Sequence, residues 1–156
     1  MHTNELEMMM ATIHDIWGPA HRLIRVARQH INHRLQPLGI TSAEGNILLQ
    51  MLITDCPVSQ EQLVLALDVS KAAISRTVDS LEQKGFLTRE RDVRDRRVHL
   101  LALTEMTRLH APDIRHAYEH VYQMAMQAAS PEALEALTGL LHILADAFDA
   151  APMEDH

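Results

Sequence analysis

The chain has 156 residues, 47% of them hydrophobic and 22% charged, with a formal net charge of −7. That length suits about one domain with a real core, which excludes a wholly disordered chain. The single cysteine, Cys56, excludes an internal disulfide framework and a cysteine-based zinc knuckle, and no apolar run reaches the ~20 residues that span a bilayer. The start, Met1-His2-Thr3-Asn4-Glu5, lacks the basic stretch and cleavage site of a secretion signal, so a soluble, cytoplasmic protein is expected.

Between Leu6 and Leu38 apolar residues recur at gaps of three and four: Leu6, Met10, Ile13, Trp17, Ala20, Ile24, Ala27, Ile31, Leu35 and Leu38. This spacing predicts a long helix with one buried stripe. Gly18-Pro19 predicts a kink or break, because proline removes a donor and disfavours helix in the residue before it. Pro37 and Gly39 end the segment. Thr41-Ser42-Ala43-Glu44 has the form of a capping box and opens a helix through Ile47, Leu48, Met51 and Leu52, which stops near Asp55-Cys56-Pro57. A second box, Ser59-Gln60-Glu61-Gln62, opens a short helix to Leu67. Asp68-Val69 then makes a tight turn, and Ser70 caps a helix running to about Lys84, with Gly85 as its stop.

After Gly85 the period changes. Residues 86–91 and 97–103 read as two strands around the charged loop Asp92-Val93-Arg94-Asp95-Arg96. Thr104 restarts helix, with Pro112 near its beginning and Ile114, Ala117, Val121, Met124 and Ala128 on one face. Ser130-Pro131-Glu132 supplies an N-cap, an N1 proline and an early acid for the last helix. That helix places Leu134, Leu137, Leu141, Leu144 and Phe148 on one seam, and residues 150–156 read as frayed. The fold class is therefore all-α with a small two-stranded β wing.

Charge is unevenly distributed. Residues 1–67 hold 4 Lys/Arg and 6 Asp/Glu, residues 68–98 hold 8 and 6, and residues 99–156 hold 2 and 9. A basic middle inside an acidic chain suits a DNA reader on an acidic scaffold, or a salt-bridged surface facing water. Three short helices followed by a ribbon, within about 65 residues, is the order of a winged helix-turn-helix. The helix after the tight turn offers Ser70, Lys71, Ser75, Arg76 and Thr77 to phosphates and base edges, and the loop offers Arg94, Arg96 and Arg97 to a minor groove. An ordinary helix–hairpin scaffold with solvated charges is the other reading of the same pattern.

Residues 41–104 resemble the DNA-binding core of the MarR family of bacterial transcription regulators. The similarity is carried by Asp92-Val93-Arg94-Asp95-Arg96-Arg97 followed by Leu103-Thr104, which meets the family's Asp-x-Arg-Asp-x-Arg and Leu-Thr positions. It is supported by Val69-Ser70-Lys71-Ala72-Ala73-Ile74-Ser75-Arg76, by Leu81-Glu82-Gln83-Lys84-Gly85-Phe86-Leu87 and by Gly39-Ile40-Thr41. The resemblance implies a homodimer in which residues 1–38 and 105–156 form dimerisation helices around a winged core at 41–104. It implies Arg94 in the minor groove, Asp92 and Asp95 bracing the wing through Arg96 or Arg97, and Lys71, Ser75 and Arg76 in the major groove. It further implies a repressor on a pseudo-palindromic operator in double-stranded DNA, released by a small phenolic or anionic effector. The helical stripes, too long for a lone winged helix to cover, are compatible with such a dimer.

For an aromatic or anionic effector, Trp17, His21 and Arg25 recur four residues apart on the first helix, although each also reads as core, filler or surface charge. No metal or other cofactor is expected to be required. His116 and His120 have the i, i+4 spacing that can pinch zinc, but two ligands make no site, and Gly45 and Asn46 stand where zinc-sensing relatives place others. His30 and His33 read as interfacial polar residues, and Cys56, with no cationic neighbour, as an inert structural thiol. There is no phosphate loop, nucleophile elbow or His-Glu-x-x-His pair, so no enzyme is expected. The competing class is a dimeric helical module whose winged helix docks protein, with a zinc-responsive regulator as a further alternative.

Overall fold

The computed structural model describes residues 2–152, except for the side chains of His2, Thr3 and Ile13; Ile13 in the stripe and residues 153–156 of the expected frayed end therefore lie outside the described part. The chain forms two compact units that divide between Glu119 and His120.

The first unit opens with α1 (His2–Leu35), 34 residues long and continuous through Gly18-Pro19. The expected break is absent. Proline withholds one N–H, from the carbonyl of Asp15, and Asp15 is exposed, so water can satisfy that oxygen while the flanking turns keep their own bonds. The last part of α1 meets the core of the unit: Ile31 packs on it and Leu35 is fully buried. Farther up, Leu6, Met10 and Ile24 are exposed by 57–63%. The predicted stripe is thus real in spacing and uncovered along most of its length.

A single turn of 3-10 helix (Gln36–Leu38) follows, closed by Gly39 at φ 69°, whose N–H reaches the Gln36 carbonyl at 2.9 Å. Both capping boxes form as expected, Thr41 with Glu44 at the start of α2 (Ser42–Thr54) and Ser59 with Gln62 at the start of α3 (Gln60–Leu67). Ser70 caps α4 (Lys71–Gln83) by accepting from the Ala73 N–H at 3.2 Å. Gly85, at φ 81°, then lets the Phe86 N–H return to the Leu81 carbonyl, which ends α4 and aims the chain into the ribbon.

The ribbon is antiparallel, β1 (Leu87–Arg91) against β2 (His99–Leu103), with Leu87 opposite Leu103 and Arg91 opposite His99. Val58 adds a bridge to Leu101 through two backbone bonds of 3.1 and 2.7 Å, tying the α2–α3 connection to the ribbon. Ile47, Leu48, Met51, Leu63, Val78 and Leu101 fill the core between these elements. The helix expected from Thr104 divides in two, α5 (Glu105–Leu109) and α6 (Ala111–Ala128). Pro112 is the cause, having no N–H for the Arg108 carbonyl.

Close packing of α1, α2 and α6 depends on Gly45. A Cβ there would stand 2.5 Å from Leu35 Cδ1 and 2.7 Å from the Tyr118 hydroxyl. Leu35 is fully buried, and the Tyr118 hydroxyl donates to Asn46 Oδ1 at 2.7 Å, so neither can step aside freely. Gly45→Ala is expected to cost about 1–3 kcal/mol, the usual penalty of overpacking. A thermal melt should show the variant unfolding several degrees earlier, and a coincident melt would contradict this packing.

In the second unit, after the end of α6, Ser130 accepts from the Ala133 N–H and Pro131 opens α7 (Pro131–Ala150). Leu137, Leu141 and Phe148 on its predicted seam are 44–58% exposed, and no residue of α7 is buried.

Candidate nucleic-acid interface

Asp68 makes the tight turn between α3 and α4 in a left-handed conformation, at φ 51°. Beyond it Lys71, Ala72 and Arg76 are exposed and Ser75 is half-buried. Lys71 Nζ stands 3.9 Å from Glu61 with both side chains well exposed, a pairing that water and salt weaken. The Ser70 hydroxyl is taken up in capping α4. Thr77 departs from expectation: it is half-buried, donates to the Ala73 carbonyl at 2.8 Å, and lines a half-open cavity with Ala73 and Ile74. Its distance of three and four residues from Ile74 and Ala73 puts it on the rear face of α4, away from Arg76.

The wing loop is held by its aspartates, but not through the arginine side chains. Asp92 Oδ1 accepts from the Arg94 backbone N–H at 2.8 Å and Asp95 Oδ1 from the Arg97 backbone N–H at 3.0 Å. The Asp92 N–H donates to the Val98 carbonyl and the Val98 N–H to the Asp95 carbonyl. A short acid two residues before an amide closes such a turn more readily than it reaches a long guanidinium. The consequence is electrostatic. Arg94, Arg96 and Arg97 are exposed and make no ion pair among the described residues. Arg91, which sequence reasoning passed over, shares this state at the end of β1; its signal was a basic residue immediately before the loop.

Other cations of the region are paired with carboxylates. Arg89 bridges Asp79 at 2.5 Å and Glu82 at 2.6 Å, fastening β1 to α4. Lys84 binds both oxygens of Glu44, at 2.8 and 2.9 Å, and the Gly39 carbonyl at 2.9 Å. Glu44 is buried and also accepts from the Ser80 hydroxyl at 2.6 Å and the Thr41 N–H at 2.8 Å. Burial alone would raise its carboxyl, but the hydrogen bonds from Lys84, Ser80 and Thr41, with the lysine charge, outweigh that and hold it below its ordinary 4.5. The capping box was legible in sequence; the tie to α4 was not.

Behind α4 lies a cavity of about 570 Å3 walled by Arg28 and Asn32 of α1, Thr41, Ser42 and Asn46 around the start of α2, and Ala73 and Thr77 of α4. Asn32 Oδ1 accepts from the Ser42 N–H at 2.6 Å, and Asn46 Oδ1 accepts from Tyr118. Each amide oxygen is therefore engaged, which leaves the amide NH2 groups as donors. Tyr118 holds its proton firmly because burial raises its hydroxyl. Trp17, His21 and Arg25, the expected effector residues, are exposed on α1 and do not line this cavity. A cavity needs walls from several elements, and these meet farther down α1, at Arg28 and Asn32.

His116 stands 3.8 Å from Glu119, both exposed, and His120 is half-buried. Among the described residues no three His, Cys, Asp or Glu are grouped to hold a metal ion. His30 is half-buried and His33 exposed on α1. Cys56 is exposed and follows Asp55, which pairs with Arg108 at 3.2 Å. No helix among the described residues is long and apolar enough to cross a membrane.

Helices α2 to α4 and the ribbon define a winged helix-turn-helix. Residues 38–98 match the model of the MarR family. Among solved structures, the chain is similar to the transcriptional regulator BldR from Sulfolobus solfataricus, at 26% identity and TM-score 0.66, covering 94% of this chain and 99% of that one. It is similar to a MarR transcriptional regulator from Methanosarcina mazei Go1, at 22% identity and TM-score 0.67, covering 90% and 96%. It also shares its fold with MepR of S. aureus, solved as a DNA complex, at 19% identity and TM-score 0.74, covering 85% and 97%. The winged-helix segment thus matches the MarR family model, and the chain is similar in fold to these regulators over most of its length.

Proposed function

We propose that the chain is a sequence-specific DNA-binding regulator of MarR type, a homodimeric repressor without catalytic activity that a small anionic or phenolic ligand releases from its operator. The observation that carries the reading is the sorting of cations in the basic middle. Lys84 and Arg89 are tied to carboxylates, whereas Arg76 on α4 and Arg94, Arg96 and Arg97 on a backbone-braced tip stay exposed without an acidic partner among the described residues. Positive charge left solvated on an acidic chain, on a protruding helix and loop, matches the phosphate lattice of a duplex. MepR, of the same fold, was solved on DNA.

The dimer is supported by the apolar residues that α1 and α7 each leave exposed, which a second copy can cover. Two copies would read half-sites about one helical turn apart. The effector is supported by the donor-rich cavity, where Arg28 and the amides of Asn32 and Asn46 suit a ligand carrying a carboxylate or phenolate. The net charge of −7 favours the competing reading, a winged helix that docks protein.

Binding of the purified protein to DNA upstream of its own gene, at two salt concentrations and with competitor duplex, decides between them. Tight, salt-sensitive and competitor-resistant binding is expected; no binding at low salt would overturn the reading in favour of protein docking. Arg94→Ala should weaken binding to every duplex alike and flatten the salt dependence by about one phosphate-contact equivalent. An unchanged slope would remove Arg94 from the interface.

A further inference from the structure

The outward face of α4 has a limited hydrogen-bonding vocabulary. Ser70 is engaged in its cap, Thr77 is turned to the cavity and bonded to the Ala73 carbonyl, and Asp79 is held by Arg89. What remains toward solvent in its N-terminal half is Lys71, the half-buried Ser75, Arg76 and, one turn before Arg76, the exposed methyl of Ala72, with Gln83 exposed two turns further on, at the C-terminal end. The one apolar group on a base edge in the major groove is the C5-methyl of thymine, for which alanine is a fitting partner, while arginine suits the two acceptors of guanine. Four residues of helix rise about 6 Å, roughly two base-pair steps of ~3.4 Å. We propose that Ala72 and Arg76 act as one reading pair, selecting in each half-site a thymine methyl and a guanine about two base pairs apart. This rests on the DNA-binding reading above and adds the chemistry of the sequence selected.

The test selects the preferred duplex from a random pool with the full-length protein, then replaces each half-site thymine by deoxyuridine, which deletes only the methyl. One replacement is expected to weaken wild-type binding about fourfold, the worth of one buried methyl. That loss should disappear in Ala72→Gly and in Ala72→Ser, the second retaining a side chain in case glycine loosens α4. The proposal is overturned if uracil is tolerated at every thymine, or if wild type and both variants lose equally. Failure to enrich any sequence, with duplexes still bound, also overturns it but leaves DNA binding standing. Failure to bind any duplex brings down the DNA-binding reading itself.

Discussion

Replacing Glu44 by glutamine is expected to destabilise the protein by about 2 kcal/mol at neutral pH. Removing one partner of a fully buried pair costs roughly 3–5 kcal/mol, and the figure is reduced here because the Lys84 side chain is 37% exposed and can turn to water. The loss has a pH signature. The Glu44 carboxyl is held below its ordinary 4.5 in the folded state, so its contribution is complete above that value. It is lost as pH falls through the lower folded value, where the carboxylate takes up a proton. Urea unfolding should therefore separate parent and Glu44→Gln by a constant amount from pH 6 upward, and the two should converge in acid. A gap that persisted in acid once the carboxylate had taken up its proton would mean that shape, not charge, holds α2 to α4.

The second large effect concerns DNA. Arg76→Ala should lower affinity for the selected operator by about 10- to 100-fold, the range of one bidentate base contact. Binding to unrelated duplex should fall far less, and discrimination should relax at one base pair of each half-site. Competition binding with operators varied one position at a time measures this. Equal losses on specific and unrelated DNA would demote Arg76 to a phosphate contact.

Features legible in sequence were those fixed within three or four residues. The boxes at Thr41 and Ser59, the cap at Ser70, the stop at Gly85 and the start at Ser130-Pro131 all form, because donor and acceptor are chain neighbours. Features that depend on distant elements meeting were not legible. Lys84 reaches Glu44 across 40 residues, and Val58 meets Leu101 only when the ribbon folds back. Proline shows both limits. Pro112 separates α5 from α6, whereas Pro19 leaves α1 whole, since its one lost bond falls on an exposed turn.

The site divides in the same way. Exposed Lys71, Arg76, Arg94, Arg96 and Arg97 follow from the motif and the helix period. The inward turn of Thr77 and the cavity at Arg28 and Asn32 depend on how α1, α2 and α4 close on one another, which no local spacing encodes.

That cavity wall has an evolutionary consequence. Ala73 and Thr77 line it from the back of the same short helix whose front carries Ala72 and Arg76. A substitution of either that enlarges or refills the cavity therefore falls on the helix that also carries the outward-facing residues. On the proposed reading, preference for a ligand and preference for a DNA sequence would share one helix and could not drift independently. Changes on one side of α4 will tend to survive in company with compensating changes on the other.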